Sequence, residues 1–169
     1  LKEIAAEGKD FRMIFVGDSV ERPEIEAYAK TLGISDRCIF TGAIHNRETI
    51  RGYFTLSDLF LFPSSFDTNG IVVREAAACG KASVLLKDSC ASEGIEDGKT
   101  GLLIDENGES MAKCLSYACN NRDKLKILGQ TAMDEIYISW DDAVEKAVKR
   151  YEQVAERFKS DEHKRERVR

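Results

Sequence analysis

Apolar residues fall along this chain in two rhythms. Short, largely apolar runs occupy residues 11–16, 37–40, 58–62, 82–86 and 102–104. Runs of that length, stopped by Gly, Asp or Pro, predict buried strands of a parallel sheet. Between them the apolar positions recur every three or four residues. That period predicts helices over 23–32, 47–54, 70–79, 108–120, 122–136 and 139–159, preceded by a first helix at 1–7. The punctuation agrees: Pro23 sits in a first turn, Gly8 and Gly33 follow last turns, and Ser139 or Asp141 stands where the final helix needs a cap. Strands alternating with helices at this spacing predict an α/β fold, a Rossmann-like, doubly wound parallel sheet with helices on both faces.

Composition adds a few bounds. The 169 residues suit one domain, read as 1–160, with a charged, frayed tail at 161–169. A net charge of -5 argues against a nucleic-acid-binding surface. Cys38, Cys79, Cys90, Cys114 and Cys119 are odd in number and lack paired metal-ligand spacing, which predicts reduced thiols and a cytoplasmic setting. No apolar run approaches the roughly 20 residues that cross a bilayer. The chain begins at Leu1, so the expectation is an excised or incomplete piece of a longer protein.

Candidate chemistry concentrates at residues 63–80. An apolar strand stops at Pro63, a polar loop runs from Ser64 to Asn69, and a helix rich in small residues starts at Gly70. Thr68 or Asn69 is the natural N-cap, and Gly70 admits a close approach to the backbone. The first amides of such a helix have no partner within it, so this corner can hold an anion. Asp67 and Glu75 bracket it, and carboxylates accept hydrogen bonds from hydroxyls. An anion hole beside two acceptors suits a phosphate joined to a sugar. In a doubly wound sheet the ligand lies beyond the carboxyl ends of the strands, where the loops at Gly17-Asp18, Thr41-Gly42-Ala43, Ser64 to Asn69 and Lys87 to Glu93 also arrive.

Plainer readings stand beside these. Glu75 next to Arg74 fits a solvated surface pair, and Asp67 fits a loop cap. Arg22 beside Glu21, His45 in a loop and Lys87 after a strand fit ordinary surface side chains. Trp140 fits a core position among the last helices. Lys164, Arg165 and Arg167 to Arg169 fit either an anionic lipid contact or a fraying helix end.

An acidic residue, seven others, then Glu75 followed by Ala-Ala-Ala-Cys-Gly resembles the Glu-x7-Glu signature of retaining GT-B glycosyltransferases, in particular glycosyltransferase family 4. The resemblance extends through Phe15-Val16-Gly17-Asp18, Arg37 to Gly42, Asp58 to Pro63 and Asp97 to Ile104. It implies that Asp67 and Glu75 are the catalytic pair, with Glu75 holding the donor ribose and Asp67 facing the sugar. It implies further that Gly17, Gly42, Thr68, Asn69, Gly70, Ile71 and Glu75 line the site of a nucleotide-diphosphate sugar, a UDP- or GDP-sugar. No cofactor or metal is expected, since no Asp-x-Asp pair is present. The implied partners are the donor and an N-terminal acceptor domain of the same enzyme, with a peripheral contact at the inner face of the membrane.

Three departures are visible. Asp67 stands where the family has Glu, and Asp88-Ser89-Cys90-Ala91-Ser92-Glu93 replaces a Gly-Gly turn. The family's nucleotide domain also opens with a strand ending in Gly-Arg and a loop carrying Lys. Residues 1–7 already read as the helix that follows that strand. The expectation is therefore the C-terminal half of a GT-B fold without its first strand, leaving a gap, a foreign strand or a closure between 11–16 and 58–62. A nonenzymatic Rossmann-type nucleotide-binding module and a sugar-nucleotide epimerase of similar plan remain alternatives. A hydride-transfer enzyme is disfavoured, because no Gly-x-Gly-x-x-Gly follows a strand.

Overall fold

The computed structural model describes residues 1–68 and 70–166, with side chains as far as residue 158. It divides into two compact units, 1–137 and 138–169.

In the first unit, helix α1 (Lys2–Ala6) leads to strand β1 (Met13–Phe15), helix α2 (Arg22–Thr31) and strand β2 (Cys38–Phe40). Helix α3 (Arg47–Leu56), strand β3 (Phe60–Phe62), helix α4 (Ile71–Ala78) and strand β4 (Ser83–Leu86) follow. Strand β5 (Leu102–Ile104) and helices α5 (Gly108–Asn120) and α6 (Arg122–Glu135) complete the unit. Every strand pair is parallel. β4 lies between β3 and β5, with Phe60 opposite Ser83 and Val84 opposite Leu102.

All four residues of β4 are buried, which explains why it reads as an unbroken apolar run rather than an alternating one. Val84 and Leu86, with Leu102 and Ile104, pack on Ala118 of α5 and Leu125 and Leu128 of α6. Leu85 points the other way, onto Val73 of α4 and Ala91. Helices therefore cover both faces of this ladder, as the alternation predicts.

The sheet is not continuous. Among the described residues β1 pairs only with β2, β3 pairs only with β4, and no ladder joins β1 to β3. The break falls between residues 11–16 and 58–62, where the family resemblance places an absent strand. Residues 1–10 are helix and coil, not a strand. Both strands bordering the break are half-buried, unlike β4.

Two details show how tightly the α6 side is closed. A Cβ at Gly129 would stand 2.1 Å from the Gly80 carbonyl oxygen, so α6 passes directly over the turn that ends α4. The Asp97-Gly98-Lys99-Thr100-Gly101 segment is a structural turn. Asp97 Oδ1 accepts from the Leu103 amide at 2.8 Å, and buried Thr100 Oγ1 accepts from the Glu96 amide at 2.8 Å.

The second unit is helix α7 (Trp140–Glu166) with its lead-in. Ser139 opens it: its Oγ accepts from the Asp142 amide at 3.1 Å and donates to Asp142 Oδ2 at 2.7 Å. Trp140, expected in a core, is 84% exposed. The expected lipid-facing cations fall outside the described residues (Arg167 to Arg169) or outside the described side chains (Lys164, Arg165).

Gly129→Ala should lower the unfolding free energy by about 2 kcal/mol or more, because the clash is with backbone. Gly108→Ala, where a Cβ meets nothing within 4 Å, should stay within about 0.5 kcal/mol of the parent in the same urea titration. Burial among the α5 and α6 side chains, helped by the charge of Asp97, pushes the Cys114 thiol up to about 11. The native state thus holds a proton that the unfolded chain loses at lower pH. Stability should fall as pH rises from about 9 to about 11, and Cys114→Ala should flatten that part of the profile.

Candidate functional site

Beyond Phe62 the chain leaves β3 through Pro63 and enters a loop that Ser64 folds on itself. Ser64 Oγ accepts from the Phe66 amide at 3.3 Å and donates to the Phe66 carbonyl at 3.2 Å. Asp67 then turns back, and its Oδ2 accepts a hydrogen bond from the Gly70 amide. Gly70 caps α4 in the left-handed conformation, φ 57 and ψ 32. That conformation suits glycine, and space demands it as well, since a Cβ there would stand 3.1 Å from Ala91 Cα. The turn Cys90–Ser92, which follows β4, is thus seated against the start of α4.

The expected cap does not form as read. Thr68 makes no cap bond to α4, and Asn69 lies outside the described residues. Asp67 supplies the acceptor instead. The amides can be accounted for one by one: Gly70 donates to Asp67, while Val73 and Arg74 donate to the Gly70 carbonyl at 2.9 and 3.3 Å. Among the described residues nothing accepts from the Ile71 and Val72 amides. Of the amides expected to hold an anion over Gly70 to Val73, those of Gly70 and Val73 are engaged, and those of Ile71 and Val72 bond to no described residue.

Glu75 lies one turn into α4, on the same exposed side as Ile71. It makes no hydrogen bond or ion pair with a described residue, so the pairing with Arg74 does not occur. Arg74 points elsewhere, donating from Nη1 to the Ile136 carbonyl at the end of α6, 3.0 Å away. Burial raises the Cys79 thiol, Arg51 and Lys81 oppose this, and the nearby Glu75 carboxylate adds to it. A recess on the α6 side of α4 is lined by Gly70, Val73, Arg74, Cys90, Glu93 and Ile136, and Glu75 does not face it.

The other expected donor-site glycines meet on the β1–β2 ladder. The Gly17 amide donates to the Gly42 carbonyl at 3.0 Å, with both residues at positive φ. Arg22, read as a surface side chain, sits over them. It donates from Nε to Glu26 Oε1 at 2.7 Å and from Nη2 to the Phe40 carbonyl at 3.4 Å, and its Nη1 would lie 3.1 Å from a Cβ at Gly42. The sequence signal was the Arg22–Glu26 spacing of one helical turn. His45 and Lys87 are exposed. Among the described residues no group of three His, Cys, Asp or Glu is placed to hold a metal ion, and no helix is long and apolar enough to cross a membrane.

The profile of the group 1 glycosyl transferases matches residues 1–135. The chain belongs to that family. One relative is N-acetyl-alpha-D-glucosaminyl L-malate synthase of Bacillus anthracis, 27% identical over 146 residues, covering 86% of this chain and 37% of the relative. Among solved structures, sucrose-phosphate synthase from Thermosynechococcus elongatus superposes with a TM-score of 0.76 at 20% identity, over 90% of this chain and 41% of that one. The Anabaena protein HepE in complex with UDP gives a TM-score of 0.69 at 22% identity, over 94% and 44%. These likenesses show the fold, the Rossmann-like half of a GT-B glycosyltransferase. The chain spans well under half the length of the curated relatives it matches.

Asp67→Ala should leave the Gly70 amide unpaired and cost about 1 kcal/mol of stability, whereas Asp67→Asn, which keeps an acceptor, should cost less. Gly70→Ala should cost about 1–3 kcal/mol through its left-handed backbone and the contact with Ala91. Urea unfolding of the three variants orders these effects.

Proposed function

We propose that this chain is the donor-binding half of a retaining, family 4 glycosyltransferase, which moves a sugar from a nucleotide-diphosphate sugar to an acceptor. One observation carries the reading. At the head of α4 the amides of Ile71 and Val72, which bond to no described residue, stand one turn from an exposed carboxylate, Glu75, that no described residue engages. Amides with the helix dipole behind them suit the leaving diphosphate, and a free carboxylate suits the ribose hydroxyls.

In this mechanism the donor lies across the carboxyl ends of the strands. The base rests near the backbone of Gly17 and Gly42, the ribose on Glu75, and the diphosphate at Ile71 and Val72. Thr68 and Gly70 border the sugar. Asp67 shapes that loop from its bond to the Gly70 amide and turns its second carboxylate oxygen toward the sugar. As the bond from the anomeric carbon to the diphosphate breaks, fixed donors take up the negative charge with no metal ion or other cofactor. An Arg and a Lys from the family's first strand would strengthen that grip in the whole enzyme. The acceptor, a polysaccharide or lipid-linked sugar, would be bound by an N-terminal domain, with the enzyme in the cytoplasm and peripheral at the inner face of the membrane. UDP- and GDP-sugars are the favoured donors, and the solved HepE complex carries UDP.

Titrating UDP, GDP and ADP into the chain by calorimetry tests the reading. At least one should bind, and Glu75→Ala should weaken it about tenfold or more, about 1.4 kcal/mol, without shifting the urea midpoint of this exposed residue. Equal heats from both proteins would remove the ribose role.

A further inference from the structure

The turns at Gly17 and Gly42 stand at the end of a ladder with little to hold them. β1 and β2 have three residues each, and a pair of strands alone is marginal in water. Both glycines have positive φ, 130 and 73, and glycine is the residue whose backbone is costliest to fix. Three bonds sew the ladder's end together. The Thr41 amide donates to the Phe15 carbonyl at 3.0 Å, and the Gly17 amide to the Gly42 carbonyl at 3.0 Å. The Thr41 hydroxyl donates to the Gly42 carbonyl at 2.9 Å. None of the three reaches a helix.

Arg22, in the first turn of α2, makes that link. Its Nη2 donates to the carbonyl of Phe40, the last residue of β2, at 3.4 Å. Its Nη1 lies over the buried Gly42, where a Cβ would come within 3.1 Å, and stands 3.8 Å from Asp18 Oδ1 beside Gly17. Glu26, one helical turn on, holds Nε from behind at 2.7 Å. Each guanidinium nitrogen thus has a neighbour, and one rigid plane spans α2, the strand end and both turns. A lysine ammonium, a single point of charge, cannot span them. With its nitrogens so engaged, Arg22 acts on a ligand through the backbone it holds. We propose that Arg22 is a positioning residue for the nucleobase end of the donor, keeping the Gly17 and Gly42 turns as a preformed seat that binding need not order. This rests on the reading that the base lies against that backbone. The ribose and diphosphate contacts assigned to Glu75, Ile71 and Val72 belong to the helix after β3, in the other ladder, so the effect of Arg22 falls on the base.

Calorimetry with UDP, GDP and ADP, beside amide NMR spectra of the full 169-residue chain, tests this. Arg22→Lys should raise the dissociation constant of the best-bound nucleotide about tenfold and bring the three nucleotides closer together. Nucleotide-induced shifts should shrink at the Gly17 and Gly42 amides and persist at those of Ile71 and Val72. Glu26→Gln, which keeps an acceptor for Nε without its charge, should fall between parent and Arg22→Lys. Glu75→Ala should weaken all three nucleotides and keep their order. An Arg22→Lys protein with a lowered urea midpoint but the parent's affinities and order would make Arg22 merely structural and overturn the proposal. A parent that binds nucleotide without moving the Gly17 or Gly42 amide would overturn the base seat, and the role of Arg22 with it, while leaving Glu75 and the donor reading standing. A parent that binds none of the three would overturn both.

Discussion

The corner that holds the candidate site depends on a backbone contact in which a side chain has no room. Gly70 begins α4 with its α-carbon seated against Ala91, so the turn after β4 and the start of α4 share one position. At the other end of the same helix, Gly80 passes under Gly129 of α6 with still less clearance. Arg74 ties the middle of α4 to the Ile136 carbonyl. A helix of eight residues is too short to hold its direction by propensity. Gripped at both ends and along one side, it presents its first amides at a fixed place beyond β3.

Two acids at that corner have opposite fates, although they look alike in sequence. Asp67 is engaged by the Gly70 amide, and Glu75 is engaged by nothing described. Their difference comes from backbone direction. The loop turns Asp67 back over the helix start, while Glu75 lies on the side of α4 opposite Val73 and Ala77, which are buried. A carboxylate already holding an amide acts chiefly on the shape of its own loop. An unengaged one keeps its accepting capacity for a ligand.

Much of this was legible from residue order, and the failures have physical causes. β4 and β5 were legible because burial on both faces leaves an unbroken apolar run. The strand read at 58–62 shortens to Phe60–Phe62, since ladder bonds extend only where β4 offers partners. Ser139 was legible as a cap because capping is local. Thr68 was misread because a hydroxyl cap assumes extended backbone at the helix start, whereas Gly70 is left-handed there. The Arg22 contact with the Phe40 carbonyl is not legible from its neighbours, because that residue lies 18 positions further on. Size predicts a core position for Trp140, yet it is 84% exposed at the start of α7.

The interrupted sheet bears on how the molecule breathes. Three parallel strands with a wholly buried centre form one cooperative block, while the β1–β2 ladder has two strands and a half-buried surface. Backbone amides of the smaller ladder then exchange with solvent through openings that leave Val84 and Leu85 shut. The Gly17 amide, bonded to Gly42, belongs to the part that opens first, and the amides at the head of α4 to the part that stays closed. Any ligand lying across both carboxyl edges would join two regions of unequal local stability, and its binding would slow exchange most on the β1–β2 side.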